Sequence, residues 1–151
     1  MRAVVQRVGH AEVVVDGDVI ASIGPGMLVL VGAVDSDTPQ EVAALAAKLL
    51  SMRIFSDAQA KMNLSVADTG GAVLVVSQFT LLADITRGRR PSFTPAAHPE
   101  HARTLIDQLV SVMGEQGVQV AMGQFGALME VSLTNSGPVT FIVDVENGRV
   151  V

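Results

Sequence analysis

The 151-residue sequence contains no cysteine, no tryptophan and no tyrosine. Without cysteine, disulfides, thiolate nucleophiles and cysteine-ligated metal sites are excluded, and the composition fits a reducing compartment. The N-terminal segment lacks the long apolar run of a signal peptide, and no stretch reaches the roughly 18 consecutive apolar residues of a membrane helix. We therefore expect a cytoplasmic protein without a membrane partner.

Aromatic residues and positive charge are also scarce. Five phenylalanines supply the whole 3% aromatic content, so the core must consist of aliphatic residues and methionine, which the 49% hydrophobic share allows. The formal net charge of −5 argues against a broad basic surface for nucleic acid. A local basic patch is available, because Arg87, Arg89 and Arg90 lie together. Length and the lack of repeats or linkers predict one domain over residues 1–151.

Strand patterns dominate the sequence, and two segments have helical patterns. Residues 2–8, 11–15, 26–34 and 72–84 are apolar or alternating, Asp16-Gly17 is a two-residue hairpin signal, and residues 118–145 predict three last strands. One helix opens with Asp37 or Thr38 as cap, Pro39 in the first turn and Glu41 for a capping box. The second runs from about Pro99 to Gly114. The order, roughly β-β-β-β-α-β-α-β-β-β, predicts an α/β (α+β-like) protein, a three-layer α/β/β sandwich with a mixed, largely antiparallel sheet system.

The common catalytic and metal-binding motifs do not occur. We find no Walker loop, no G-x-G-x-x-G after a strand, no H-E-x-x-H and no G-x-S-x-G. His98 and His101 are three positions apart, but no third metal ligand is evident, so an exposed helix start is the favoured interpretation. We expect no metal site.

The segment SQFTLL, residues 77–82, carries the most suggestive chemistry. Here an apolar strand runs into the hydroxyls of Ser77 and Thr80, with an amide and a phenyl ring between them. Either hydroxyl is a candidate nucleophile, but no histidine or lysine is near in sequence to act as a base. The hydroxyls can instead satisfy the local backbone. A third possibility is an oxyanion hole of backbone N–H groups, each worth about 2.7–4 kcal/mol.

Two strand-breaking residues, Gly137-Pro138, interrupt a strand pattern over residues 133–143. Proline cannot donate a ladder hydrogen bond, and glycine weakens a strand interior. We interpret the pair as a rigid loop at a strand entrance, with Val139-Thr140 resuming the strand.

Seven segments, in order, closely resemble the D-aminoacyl-tRNA deacylase family (D-tyrosyl-tRNA deacylase type). The resemblance covers about residues 1–145, and its segments are MRAVVQRV, IGPGMLVLVG, KMNLS, VVSQFTLLAD, RRPSF, GQFGALMEV and NSGPVT. It implies hydrolysis of the ester joining a D-amino acid to the terminal ribose of tRNA, without metal or organic cofactor. It also implies a homodimer with shared active sites.

The resemblance also implies roles for individual residues. The pocket for the terminal adenosine and aminoacyl group is lined by Ser77, Gln78, Phe79 and Thr80, with main-chain oxyanion stabilisation and help from the ribose 2′-hydroxyl. A cis Gly137-Pro138 inserted from the partner subunit holds the amino group through its carbonyls and excludes an L side chain, and Arg7 helps to fix that loop. Glycine, which has no side chain to exclude, should also be accepted.

This sequence departs from the family pattern at two positions. Ser136 stands where the family more often has Asp, and Arg89 adds a charge in the basic loop RGRRPSF. We expect Arg87, Arg89 and Arg90 to contact the tRNA. Two other functions remain open: a generic serine or threonine esterase using Thr80 or Ser77, and a non-enzymatic dimeric binding module in which Gly137-Pro138 shapes an interface.

Overall fold

A curled, seven-stranded mixed sheet carries the two long helices. The computed structural model describes residues 1–86 and 88–151. The elements are β1 (Arg2–Val15), β2 (Asp18–Ile23), β3 (Gly26–Gly32), α1 (Pro39–Ser51), β4 (Phe55–Ser56), β5 (Met62–Leu64), β6 (Ala72–Ser77), α2 (Pro99–Glu115), β7 (Gln119–Met122), β8 (Glu130–Glu146) and β9 (Arg149–Val150). The sheet has the strand order β7-β6-β3-β1-β8-β9, with β2 paired to β1, and β4 and β5 form a separate ribbon.

Strand β1 passes through two layers of the molecule. Its first part, residues 2–8, pairs with β3, and its second part, residues 11–15, pairs with β2. Strand β8 pairs with both parts along the other edge of β1. The β3–β6 and β6–β7 pairs are parallel, and the other pairs are antiparallel. The predicted mixed, three-layer architecture is therefore confirmed. The two strand layers are parts of one curled sheet rather than two separate sheets, because β1 and β8 are long enough to span both.

Two apolar cores separate the three layers. The larger one lies between the sheet and the helices and includes Val5, Leu45 and Leu109, and the smaller one lies between the strand layers and includes Val13 and Leu74. The buried side chains are aliphatic or methionine with few exceptions, as the composition predicts.

Helix α1 begins as the sequence predicts. The Thr38 side chain accepts a hydrogen bond from the Gln40 amide, and the Glu41 carboxylate accepts one from the Thr38 amide at 2.7 Å, which forms a capping box. These two bonds satisfy N–H groups that the helix itself leaves without partners. Among the described residues, no helix is long and apolar enough to cross a membrane.

Two predictions about the motif-bearing segments were wrong. The strand predicted over residues 72–84 ends at Ser77, and a short 3-10 helix, Phe79–Leu82, follows. Gly137-Pro138 does not stand at a strand entrance: residues 136–139 form a bulge inside β8, since Asn135 pairs with Val8 and Thr140 with Gln6. The strand tolerates these two residues because residues 136–139 are unpaired in the ladder, and pairing with β1 resumes at Thr140 within the same strand.

Candidate active site

An apolar cavity of about 320 Å³ lies where β3 and β6 end and α2 begins. Val31 pairs with Ser77 in the parallel β3–β6 ladder, so the carboxyl ends of both strands meet at the same edge. Ser77, Gln78 and Phe79 line the cavity. Ligands of α/β sheets commonly bind at the carboxyl ends of parallel strands, which makes this cavity the candidate active site.

Three of the five phenylalanines line this cavity: Phe79, Phe93 and Phe125. Phe79 is 55% exposed and Phe93 39% exposed, and their rings pack edge to face with centroids 4.9 Å apart. The guanidinium of Arg103 lies 5.0 Å from the centroid of Phe125. Exposed aromatic rings beside a cation suit a stacked nucleobase next to a phosphate.

The start of the 3-10 helix, where Phe79 lines the cavity, leaves two adjacent backbone amides without a backbone acceptor in the ranges that the structure describes. The Gln78 amide donates to the Val31 carbonyl at 2.8 Å, and the Leu81 amide donates to the Gln78 carbonyl at 3.2 Å. Among the described residues, no such backbone bond is found for the amides of Phe79 and Thr80, because the first residues of a helix have no intrahelical acceptor. Two adjacent N–H donors of this kind are able to stabilise an oxyanion.

The Thr80 hydroxyl has no general base in the described part of the chain. It is exposed and bonded to the Gln78 side-chain amide. No histidine, lysine or carboxylate in the described ranges hydrogen bonds to the hydroxyl of Thr80 or Ser77, and activation of a hydroxyl nucleophile needs such a group. The geometry favours a main-chain role for this segment over a nucleophilic one.

The two histidines near α2 belong to the start of that helix. The His98 amide donates to the Asp35 carboxylate at 2.8 Å, and the His101 Nε2 lies 2.9 Å from the Asp37 carbonyl oxygen. Within residues 1–86 and 88–151, no group of three histidine or acidic side chains is arranged to hold a metal ion.

Arg7 holds the bulge that contains Gly137-Pro138. Its Nε donates to the Ser136 carbonyl at 2.7 Å, and its Nη1 donates to the Ile54 carbonyl at 2.6 Å. The Gly137-Pro138 peptide bond is cis, and both residues are exposed. Ser136 is bound here through its main chain, so the departure from Asp at this position does not remove the Arg7 contact.

Sequence reasoning missed Asn135, which precedes the bulge. Its side chain hydrogen bonds to the backbone of Arg7 and of Val139. The available signal was the position of this asparagine, shortly before the strand-breaking pair Gly137-Pro138. Asparagine side chains commonly hydrogen bond to nearby backbone where the chain leaves a regular ladder. The positions of Phe93 and Phe125 in the cavity lining were missed too. The available signal was the scarcity of aromatic residues, since the chain has only five phenylalanines.

Within one chain, the structure does not bring Gly137-Pro138 to the cavity. Ser77 on β6 pairs with Val31 on β3, and Val31 pairs with Ala3 on β1. The bulge on β8 lies opposite Arg7, which is four residues further along β1. Three strand spacings and four residues along the strand separate them, on the order of 20 Å in total. The two predicted parts of the site are therefore far apart within one chain.

The basic loop lies close to the cavity mouth. Asp84 and Ser92 form a β-bridge, Arg89 and Arg90 between them are exposed, and Phe93, which follows, lines the cavity. Arg87, the third arginine of the predicted patch, lies outside the described residues.

Comparison with known proteins identifies the family. A family model described as D-Tyr-tRNA(Tyr) deacylase matches residues 4–144. The chain belongs to this deacylase family. A D-aminoacyl-tRNA deacylase of a Janthinobacterium species is 56% identical over 146 residues, covering 97% of this chain and 98% of the relative. One from Chloroflexus aurantiacus is 53% identical over 144 residues, covering 95% of this chain and 90% of the relative.

Solved structures agree with the observed fold. A structure titled "c-Myc DNA Unwinding Element Binding Protein" superposes with a TM-score of 0.90 at 36% identity, covering 97% of this chain and 99% of the other. A second, titled "Structural Analysis of a probable eukaryotic D-amino acid tRNA deacylase", has a TM-score of 0.83 at 17% identity, covering 95% and 98%, and supports the fold alone. Deacylases are hydrolases that act on ester bonds, so membership favours an enzyme over the binding module.

Proposed function

We propose that this protein hydrolyses the ester that joins a D-amino acid to the terminal ribose of tRNA and releases free D-amino acid and tRNA. The observation that carries the proposal is an apolar cavity lined by Ser77, Gln78 and Phe79 in a chain of the deacylase family. In the described part of the chain, the adjacent amides of Phe79 and Thr80 have no backbone acceptor. Exposed phenylalanines at the cavity mouth suit the terminal adenosine. Residues 1–151 act as one deacylase domain, and the cytoplasm is the expected compartment.

The proposed mechanism uses the main chain rather than a catalytic side chain. Attack of water on the ester carbonyl produces an oxyanion, and the amides of Phe79 and Thr80 donate hydrogen bonds to it. When the oxyanion collapses, the ester C–O bond breaks, and the neighbouring ribose 2′-hydroxyl relays the proton of the attacking water to the departing 3′ oxygen. Ser77 and Gln78 shape the pocket, with Gln78 bonded to the Thr80 hydroxyl. The reaction needs neither a metal nor an organic cofactor.

The proposed enzyme is a homodimer in which each subunit completes the other's site. The support is the position of Gly137-Pro138, which is exposed and does not line the cavity of its own chain. In the partner's pocket, its carbonyls accept hydrogen bonds from the substrate ammonium group, and its bulk excludes an L side chain. Such a filter acts by steric exclusion, so glycine esters are accepted along with D-aminoacyl esters.

The basic loop is the proposed contact for the tRNA. Arg89 and Arg90 are exposed close to Phe93, and with Arg87 they supply a local positive patch on a chain whose net charge is −5. A small patch suits recognition of the end of the tRNA rather than its whole surface.

One deacylation assay tests the proposal. Purified protein is incubated with tRNA charged with D-tyrosine, with L-tyrosine and, separately, with glycine, and the remaining charged tRNA is measured over time. We expect release of D-tyrosine and glycine and retention of L-tyrosine. Equal hydrolysis of the D and L esters points to a generic esterase, and inertness toward all three points to a binding module.

A further inference from the structure

We propose that Asn135 is a positioning residue for the Gly137-Pro138 loop and thereby determines how strictly L-aminoacyl esters are rejected. The inference rests on the proposed function, since it assigns a structural cause to the selectivity of that site. It extends the site beyond Arg7, which holds the same loop from the opposite side.

The side chain of Asn135 closes the bulge across its base. Its Nδ2 donates to the Val139 carbonyl at 2.9 Å and to the Arg7 carbonyl at 3.0 Å, and its Oδ1 accepts from the Val139 amide at 3.2 Å. All three partners are backbone atoms that the bulge removes from the β1–β8 ladder. The amide replaces the missing ladder bonds and ties the bulge to itself and to β1.

The tight bulge explains why residue 137 is glycine. A Cβ at Gly137 would lie 2.5 Å from the Asn135 Oδ1 and 2.0 Å from the Val139 nitrogen. Gly137 is not among the glycines with a positive φ, so it is required for space and not for an unusual backbone conformation. Any side chain here would clash first with the Val139 backbone and also with the Asn135 amide.

Asn135 and Arg7 together fix the loop at both ends. Arg7 holds the Ser136 carbonyl, and Asn135 holds Val139, so the two exposed residues between them are presented in one orientation. A filter that works by steric exclusion depends on that orientation, because a displacement of about 1 Å is enough to change reactivity by about 100-fold. Loss of the Asn135 amide should therefore relax selectivity.

Two variants test the inference, Asn135→Ala and Asn135→Asp. The first removes all three hydrogen bonds, and the second keeps an acceptor for the Val139 amide but turns a carboxylate oxygen toward the carbonyls of Arg7 and Val139. For tyrosyl-tRNA, we expect the ratio of kcat/KM for the D ester to that for the L ester to fall about tenfold or more in both, as loss of three hydrogen bonds at a half-buried side chain implies. Thr134→Ala, at an exposed position of the same strand, should leave the ratio unchanged.

The ratio separates positioning from general stability. Partial unfolding lowers both rates equally and leaves the ratio as it is. If the wild type is active and the ratio in both variants stays within about twofold of the wild-type ratio, the inference is wrong but the proposed function stands. If the wild type is inactive, the proposed function is wrong. A crystal structure of Asn135→Ala gives a readout that does not depend on activity: we expect residues 136–138 to be displaced, and an unchanged loop contradicts the inference.

Discussion

Arg7 and Ser136 are joined by a 2.7 Å hydrogen bond from the Arg7 Nε to the Ser136 carbonyl oxygen, although 129 positions separate them in the sequence. The same guanidinium donates from Nη1 to the Ile54 carbonyl at 2.6 Å. A planar guanidinium holds both carbonyls at once because its donors have a fixed geometry, which the single ammonium group of lysine lacks.

Arg7→Lys is therefore expected to reduce the preference for D over L esters while keeping the positive charge. The lysine ammonium reaches one of the two carbonyls, so the loop gains freedom. Paired assays with D- and L-tyrosyl-tRNA measure the preference. Arg53→Lys is the matched control, since Arg53 is exposed and, among the described residues, its side chain makes one hydrogen bond, of 3.4 Å to Asn63. An Arg7→Lys enzyme with the wild-type preference contradicts the role proposed for the guanidinium.

Thr80→Ala is expected to keep substantial activity. The change removes the hydroxyl bonded to Gln78 but leaves the backbone amide of residue 80 in place, so the loss in kcat should be about tenfold or less, the worth of one neutral hydrogen bond. Single-turnover deacylation of D-tyrosyl-tRNA measures it. Near-complete loss of activity in a folded variant indicates a threonine nucleophile instead.

Filling the cavity is expected to weaken substrate binding. Ala96 is half-buried in the cavity lining, and Ala96→Leu places an isobutyl group in a space of about 320 Å³. KM for D-tyrosyl-tRNA should rise several-fold, with little change in thermal stability. Ala47→Leu adds the same group at an exposed position of α1 and should leave KM unchanged. Equal kinetics for the two variants would place the substrate elsewhere.

Replacing Arg87, Arg89 and Arg90 with alanine is expected to raise KM for charged tRNA. Fewer phosphate contacts also mean fewer counterions released on binding, so the dependence of kcat/KM on salt concentration should become weaker. Steady-state assays at several salt concentrations measure both effects. If the slope and KM both match the wild type, the loop does not contact the tRNA.

Glu41 is expected to make stability depend on pH in acid. Hydrogen bonds from the Thr38 hydroxyl, and then from the backbone amides of Thr38 and Gly148, lower the pKa of Glu41 from 4.5 to about 2; the side chain is buried, with 5% exposure. Because the folded-state pKa is depressed, this stabilisation is complete above pH 4.5 and is lost as the pH falls toward about 2.

Glu41→Gln removes the charge that these donors stabilise. At pH 7 we expect the free energy of unfolding to fall by about 1–3 kcal/mol, and the difference from the wild type should shrink below pH 4.5. Urea unfolding at a series of pH values measures it. A difference that stays constant down to pH 2.5 would show that the carboxylate charge is not the cause.

Features that depend on near neighbours could be predicted from the sequence. The Thr38–Glu41 capping box needs residues only three positions apart, and Asp16-Gly17 makes the β1–β2 turn with positive φ at both residues, as such a turn requires. The family could also be recognised, since its motifs are local runs of residues, and Ser77, Gln78 and Phe79 do line a cavity.

The remaining features depend on contacts between residues far apart in the chain, and these only the folded molecule revealed. The pattern of residues 72–84 predicts one apolar strand, but the chain turns after Ser77, and Phe79 then lines a cavity that residues of α2 also line. Gly137-Pro138 suggests a break in the strand, but the pair stays within β8, where the Asn135 side chain bonds to the Arg7 carbonyl 128 positions away. Side-chain bonds to distant backbone have no local pattern, so a propensity for strand or turn cannot predict them.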